Sequence, residues 1–268
     1  MPMTRVAIAG LGAIGRALAR RLNQGVPGLI LTCAAVRDRS KAKTWLDQQQ
    51  IACPLVDLDA LPQFADIAVE CAPADVIEDI CQPMLAAGKR VMVLSAGALL
   101  PRPDLIELAK TTGGQIIVPT GALLGLDAVS AAAEGTIHSV RMITRKPPKG
   151  LVGAPYLVKN GISVDGLNAA KCVFSGSARE AAAGFPANVN VVAALSLAGI
   201  GPDRTTIEIW ADPEITRNCH SIEVDADSAR FSFTIENIPS ENPKTGKITS
   251  LSALAALRKL HAPLRVGT

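Results

Sequence analysis

The residues of this chain whose types and spacing could do chemistry fall into two groups. One is Gly10-Leu11-Gly12-Ala13-Ile14-Gly15, a Gly-x-Gly-x-x-Gly run near the N-terminus. The other is a scatter of three histidines and several basic side chains in the C-terminal half. The glycine run has the chemistry of a dinucleotide cradle. Gly10 permits a tight turn, Gly12 lets backbone approach a pyrophosphate with no Cβ in the way, and Gly15 lets the following helix pack close. The anion would rest on unpaired N–H groups at the positive end of a helix dipole, with Ala13 and Ile14 joining Gly10 and Gly12 as cofactor contacts. The same glycines could also serve an ordinary strand-to-helix turn.

Which dinucleotide fits is read at the end of the second strand, Leu29–Val36. Asp38 stands where a carboxylate accepts from the adenosine ribose hydroxyls, which favours NAD. Arg37 and Arg39 flank it, and a guanidinium there could pair with the 2′-phosphate of NADP. NAD is the expected cofactor and NADP the alternative; a solvated charged turn is the bland reading. Among the histidines, His138 lies just before a strand and His261 on a terminal helix. His220 leaves a polar loop, Asp212–Cys219, to enter a strand. Imidazole is the side chain whose ordinary pKa lies nearest neutrality, so His220 is the candidate for carrying a proton during turnover.

The elements that must position these groups are legible in outline. Val6-Ala7-Ile8-Ala9 is apolar and part β-branched, a strand, and Arg16–Leu22 is a helix with Ile14, Ala17, Leu18 and Leu22 on one face. Strands then alternate with helices through Asp66–Cys71, Asp75–Gly88, Arg90–Leu94, Asp104–Lys110 and Gln115–Pro119, implying a Rossmann-type doubly wound parallel sheet. Ligands bind such sheets outside the carboxyl ends of the strands. That directs attention to Cys71-Ala72-Pro73, Ser95-Ala96-Gly97-Ala98 and Pro119-Thr120-Gly121-Ala122, with Ala72 and Ala96 as expected cofactor contacts. After about residue 120 the pattern becomes period-two in Ser139–Thr144, Thr206–Ala211, His220–Val224 and Ala229–Ile235. This is a second α+β domain carrying a mostly antiparallel sheet. The expected division is residues 1–121 for the dinucleotide and 122–247 for substrate and dimerisation. A C-terminal helix within 248–268, with Leu251, Leu254, Ala255 and Leu257 on one face, is free to pack back on the first domain.

Composition narrows the class. Hydrophobic residues make up 49% of the 268, charged residues 19% and aromatics 3%. The core must therefore be aliphatic, and stacking platforms for single-stranded nucleic acid are scarce. A net charge of +3 is too mild and too evenly spread for a phosphate-backbone partner. Six cysteines show no Cys-x-x-Cys pair and no zinc-like spacing, so no metal is expected. No apolar run is long enough to cross a bilayer, and the chain starts on a strand rather than a leader. A cytoplasmic protein with reduced thiols, and with neither nucleic-acid nor membrane partners, is expected.

Several segments together resemble the L-aspartate dehydrogenase family. They are the glycine run, Glu70-Cys71-Ala72, Ser95–Leu99, Pro119–Asp127 and Thr144-Arg145-Lys146-Pro147-Pro148. Phe185–Val191, Ala211-Asp212-Pro213, Arg217-Asn218-Cys219-His220 and Glu236–Thr245 complete the set. The resemblance runs through nearly the whole chain, with departures at Leu124, where a small residue is usual, and Thr120, where a serine is. It implies His220 as the catalytic residue and Leu124 and Asn190 as cofactor contacts. It implies a dicarboxylic amino acid as the small-molecule substrate, oxidation of L-aspartate to iminoaspartate, and its hydrolysis to oxaloacetate and ammonia. A role in NAD biosynthesis and a homodimer are implied too. Arg145, Lys146, Arg217 and Lys244 are candidates to hold the substrate carboxylates. A two-domain imine or semialdehyde reductase, or a dinucleotide sensor without turnover, are the alternatives.

Overall fold

The computed structural model describes residues 3–186, 189–238 and 246–267. The chain forms two compact units, Met1–Pro119 with Ser250–Arg265, and Thr120–Thr249 with Val266–Thr268.

In the first unit strands and helices alternate: β1 (Thr4–Ala9), α1 (Ala13–Asn23), β2 (Leu29–Ala35), α2 (Arg39–Gln48), β3 (Leu55–Val56), α3 (Leu61–Phe64), β4 (Ile67–Glu70), α4 (Ile77–Ala86), β5 (Arg90–Val93), α5 (Pro103–Thr112) and β6 (Gln115–Ile117). The six strands are parallel in the order β3-β2-β1-β4-β5-β6. Strand order therefore reverses between β1 and β4, the place where such sheets open a crevice for ligands. Alternation along the strands feeds two cores. Ala7, Ala9, Ala68 and Val91 pack against α3, α4 and α5 on one face, while Val6, Ile8, Val69 and Met92 pack against α1 and α2 on the other. Each fully buried Val, Leu, Ile or Met side chain contributes on the order of 1.5–3 kcal/mol, so the aromatic-poor sequence suffices.

The last helix, α10 (Ile248–Lys259), adds Ala253, Leu254 and Leu257 to the same cluster as Val6 and Ile8. Its register differs from the expected one, because Leu251 and Ala255 are exposed and Ala253 is fully buried. The stripe 253, 254, 257, 260 keeps helical period, and the larger Leu251 lies well away from Ala253 around the helix. A similar offset affects α1, where Gly15, Leu18, Ala19 and Leu22 are buried and Ile14 and Ala17 only half so. Beyond α10 the His261 ring lies 2.6 Å from Thr4 Oγ1 through Nε2 and covers Gly28, tying the chain end to the start of β1.

The second unit contains α6 (Leu126–Ala133), β7 (Ile137–Lys146), α7 (Pro155–Lys159), β8 (Lys171–Ser177), α8 (Ala178–Gly184), α9 (Asn190–Ala198), β9 (Thr205–Ala211), β10 (Asn218–Ala226) and β11 (Arg230–Asn237). Its sheet runs β11-β10-β7-β9-β8, antiparallel except for the β7–β9 pair. One face is covered: Val140, Met142, Ile207, Ile209, Ile222 and Val224 share a core with α6 to α9. The other carries Arg141, Glu208 and Glu223, joined by ion pairs. β7 runs past Thr144 to Lys146, and β10 begins at Asn218 rather than at His220. Side chains at the ends of these strands are thereby held in sheet register rather than on loops.

Candidate functional site

In the first unit the three glycines have different physical reasons to be there. Gly10 sits at φ +100°, and a Cβ on it would lie 2.6 Å from the Cys71 carbonyl oxygen. A Cβ on Gly15 would run into the Gly10 carbonyl and approach Ile8 Cγ2 at 3.2 Å. Both are glycine for the sake of the turn and the packing. Gly12 is different, because a Cβ there would meet nothing nearer than the Cys71 carbonyl oxygen at 4.0 Å. The space beside it is open on an exposed residue. Gly12 is also the N-cap of α1; no side chain caps it and the first turn holds no acid. An uncapped helix N-terminus facing open space at the strand-order reversal suits a pyrophosphate, so the residues present fit a dinucleotide. Ala13 is exposed and Ile14 half-buried in that first turn.

At the end of β2, Asp38 caps α2, accepting from the Lys41 amide at 2.9 Å through Oδ1. It is exposed, as are both neighbouring arginines. Arg39 is paired with Asp57, Nη2 to Oδ1 at 2.5 Å. Asp38 thus has a structural duty that its sequence position did not announce, with its second oxygen outside that bond.

The loops after β4 and β5 are joined by a residue that sequence reasoning left without a role. Glu70, the last residue of β4, is fully buried. Its Oε2 accepts from the Leu94 and Ser95 amides at 3.0 and 2.8 Å, and its Oε1 from the Ser95 hydroxyl at 3.1 Å. Burial pushes its pKa up, and the Ser95, Leu94 and Ala72 donors oppose that rise. A lone acid closing an apolar strand was the available signal. Ala72 is half-buried, but Ala96 is only 1% exposed. The accessible surface of the β5 loop belongs to Ser95, Gly97 and Ala98 instead.

In the second unit the covered face of the sheet changes from apolar to polar along its length. Beyond Met142 and Ile222 the same face carries Thr144 and Lys146 on β7, His220 and Asn218 on β10, and Asn237 on β11, all buried. The register sets His220 opposite Thr144 and Asn218 opposite Asn237. His220 Nδ1 lies 3.1 Å from Thr144 Oγ1. Its Nε2 has no hydrogen-bond partner among the described residues. Burial first, and the Lys146 charge second, push the imidazole down to about 3. Burial likewise pushes Lys146 down to about 8. Asn237 donates through Nδ2 to the Ala122 carbonyl at 2.7 Å, and its Oδ1 is buried with no partner among the described residues. The arrangement is a neutral imidazole beside a buried cation, which is chemistry for an anionic substrate and a mobile proton.

Of the four basic residues considered for substrate carboxylates, Lys146 shares the strand face of His220. Arg145 points to the opposite face, bonded to Asp212 at 3.2 Å with its guanidinium over Trp210. Arg217 is exposed and 3.4 Å from Glu236. Lys244 lies outside the described residues. Leu124, in the segment before α6, and Asn190, the first residue of α9, are both half-buried. His138 is exposed, and His261 is engaged with Thr4. All six cysteines are free, and no helix among the described residues is long and apolar enough to cross a membrane.

Comparisons with known proteins divide the chain in a similar way. Residues 10–119 match the homoserine dehydrogenase NAD-binding domain, and residues 127–260 match the aspartate dehydrogenase C-terminal domain. The chain is 58% identical to an L-aspartate dehydrogenase of Bradyrhizobium diazoefficiens, over 98% of this chain and 94% of that one. It is 57% identical to L-aspartate dehydrogenase 3 of Bordetella bronchiseptica, covering 98% and 97%. Among solved structures, aspartate dehydrogenase from Thermotoga maritima superposes with a TM-score of 0.78 at 25% identity, covering 98% of this chain and 99% of that one. With an NAD-binding domain over residues 10–119 and a second domain whose sheet ends in buried His220 and Lys146, the chain belongs to the L-aspartate dehydrogenase family.

Proposed function

We propose that the protein oxidises L-aspartate to iminoaspartate with a nicotinamide dinucleotide, and that iminoaspartate then hydrolyses to oxaloacetate and ammonia. The observation that carries this reading is His220, neutral, buried, fixed through Nδ1 and open at Nε2 beside Lys146. The first unit is the dinucleotide domain, with Gly10, Gly12, Ala13, Ile14, Asp38, Ala72 and Ala96 around the ligand. The second holds the substrate, with Leu124 and Asn190 contributing to the cofactor. The bound dinucleotide supplies the hydride acceptor. Lys146 binds a substrate carboxylate, whose negative charge offsets the Lys146 contribution to the lowering of His220 and leaves burial as the remaining cause, so the imidazole is more basic when substrate is present. His220 takes one proton from the α-ammonium. The freed lone pair then forms the C=N bond as the α-hydrogen departs as hydride. His220 passes that proton to solvent; water then adds to the iminium carbon and gives up a proton to His220, which delivers it to the nitrogen. The C–N bond breaks as the imidazole takes the remaining hydroxyl proton, leaving the ketone and ammonia.

NAD is the proposed cofactor because Asp38 keeps an oxygen for the ribose while Arg39 is engaged by Asp57. The family likeness further supports a homodimer and the supply of iminoaspartate to NAD biosynthesis in the cytoplasm. The deciding experiment follows reduced-cofactor absorbance with NAD or NADP against aspartate, glutamate, malate and alanine. Turnover with aspartate and NAD far above the other pairs is expected. Equal rates with malate would remove the amine chemistry, and binding of cofactor without turnover would make the protein a sensor.

A further inference from the structure

We propose that Glu70 is a positioning residue for the nicotinamide half of the cofactor. It acts by fastening the loops after β4 and β5 to one another rather than by touching the adenosine half. Three observations lead there. The strand order β2-β1-β4-β5 sends a dinucleotide from the β2 end, where Asp38 stands, across the glycine turn toward the ends of β4 and β5. The glycine turn is already seated on the β4 loop, since a Cβ on Gly10 would lie 2.6 Å from the Cys71 carbonyl oxygen. Glu70 then carries that contact one strand further, taking the Leu94 amide, the Ser95 amide and the Ser95 hydroxyl within 2.8–3.1 Å.

Burying a carboxylate completely is costly, and an apolar residue would suit the rest of β4, whose other positions are Ile67, Ala68 and Val69. Three donors on two consecutive residues of a neighbouring loop offset that cost. They also remove most of the freedom the loop would otherwise have. A fixed loop binds the reactive end of a cofactor with less ordering penalty than a loose one. Charge-assisted bonds are roughly twice as strong as neutral ones, which is the reason for a glutamate in place of a glutamine.

The inference rests on reading the first unit as a dinucleotide cradle, and the test separates the two. Affinities for NADH and for ADP are measured by fluorescence and calorimetric titration on wild type, Glu70→Gln and Glu70→Ala, with melting temperatures alongside. ADP engages the glycine turn and the β2 end and has no nicotinamide half. Glu70→Gln keeps the shape and one acceptor oxygen; it should weaken NADH about 5-fold and leave ADP within about 2-fold. Glu70→Ala should weaken NADH further with ADP still unchanged. Should the alanine variant fail to fold, the glutamine variant decides alone. Wild-type NADH affinity in Glu70→Gln, or equal weakening of both ligands, overturns the assignment, the second result marking a purely structural acid. Wild type that binds neither ligand removes the cradle and this assignment with it.

Discussion

The two units build their candidate sites from opposite materials. The first relies on what is missing: Gly12 carries no Cβ and α1 no side-chain cap, which leaves open space at the start of the helix. The second relies on what is present, with ionisable and amide side chains from three strands gathered at one end of a covered sheet face. A site made mainly of backbone should lose most when a side chain is added to it and less when one is removed. A site made of buried side chains should fail when one is removed. The comparison is broken if removing a side chain from the first unit costs as much as adding one to Gly12.

The largest expected effect comes from adding bulk to the first unit. Gly12→Val should abolish NADH binding while the protein stays folded, because the new Cβ meets nothing of the protein closer than 4.0 Å. Tight NADH binding by this variant in a fluorescence titration would misplace the pyrophosphate. Next is subtraction from the second unit. His220→Ala should lower kcat roughly 10²–10⁴-fold with NADH affinity near wild type. It should also change the pH dependence of stability. His220 is pushed down to about 3 from an ordinary 6.5, so between those values the unfolded chain binds the extra proton. Wild-type stability therefore falls as pH drops through that window, and the alanine variant should lose part of that slope in thermal melts. Normal turnover by the folded variant would end the assigned role.

The same contrast explains what could be read in the sequence. The glycine run, the strand before it and the helix after it are contiguous, so the first strand–turn–helix unit is visible in a short window, and the parallel sheet follows from the alternation that continues to β6. Period-two patterning likewise located β9, β10 and β11. The polar end of the second sheet is not contiguous. Thr144 and His220 are 76 residues apart in the chain and meet only through β7–β10 register. Lys146 looked equivalent to Arg145, Arg217 and Lys244 until strand alternation put it on the face of His220 and Arg145 on the other. Glu70 was visible as a letter and invisible as a clamp, because its donors sit on another strand. The inward face of α10 was misjudged for a related reason: Ala253 fits against the sheet where hydrophobicity alone favours Leu251.

A smaller effect is expected at Lys146, and it separates catalysis from stability within the second unit. Lys146→Met should raise the KM for aspartate and lower kcat/KM by about 1.5–3 kcal/mol, the range for a hydrogen bond to a charged group. NADH affinity should be unchanged. The wild-type lysine is held near 8 against an ordinary 10.5, so wild type gains stability as pH rises between those values, and the methionine variant should not. Unaltered aspartate kinetics would remove Lys146 from both roles, carboxylate binding and the tuning of His220.

The smallest effect should be at Asp38, where the first unit does use a side chain, and where two duties must be separated. Asp38→Ala removes both the ribose acceptor and the cap on α2. It should shift the NAD-to-NADP affinity ratio by about 1–2 kcal/mol toward NADP, with about 1 kcal/mol of stability lost from the uncapped helix. Asp38→Asn keeps an oxygen for the Lys41 amide, 2.9 Å away in wild type, but loses the charge that repels a 2′-phosphate. Its melting temperature should therefore return to the wild-type value while the cofactor ratio stays shifted. Paired titrations with NADH and NADPH, read beside thermal melts, measure both. A ratio that recovers together with stability in the asparagine variant, or never moves in either, would leave Asp38 as a helix cap and nothing more. The first unit's ligand site would then be made of backbone throughout.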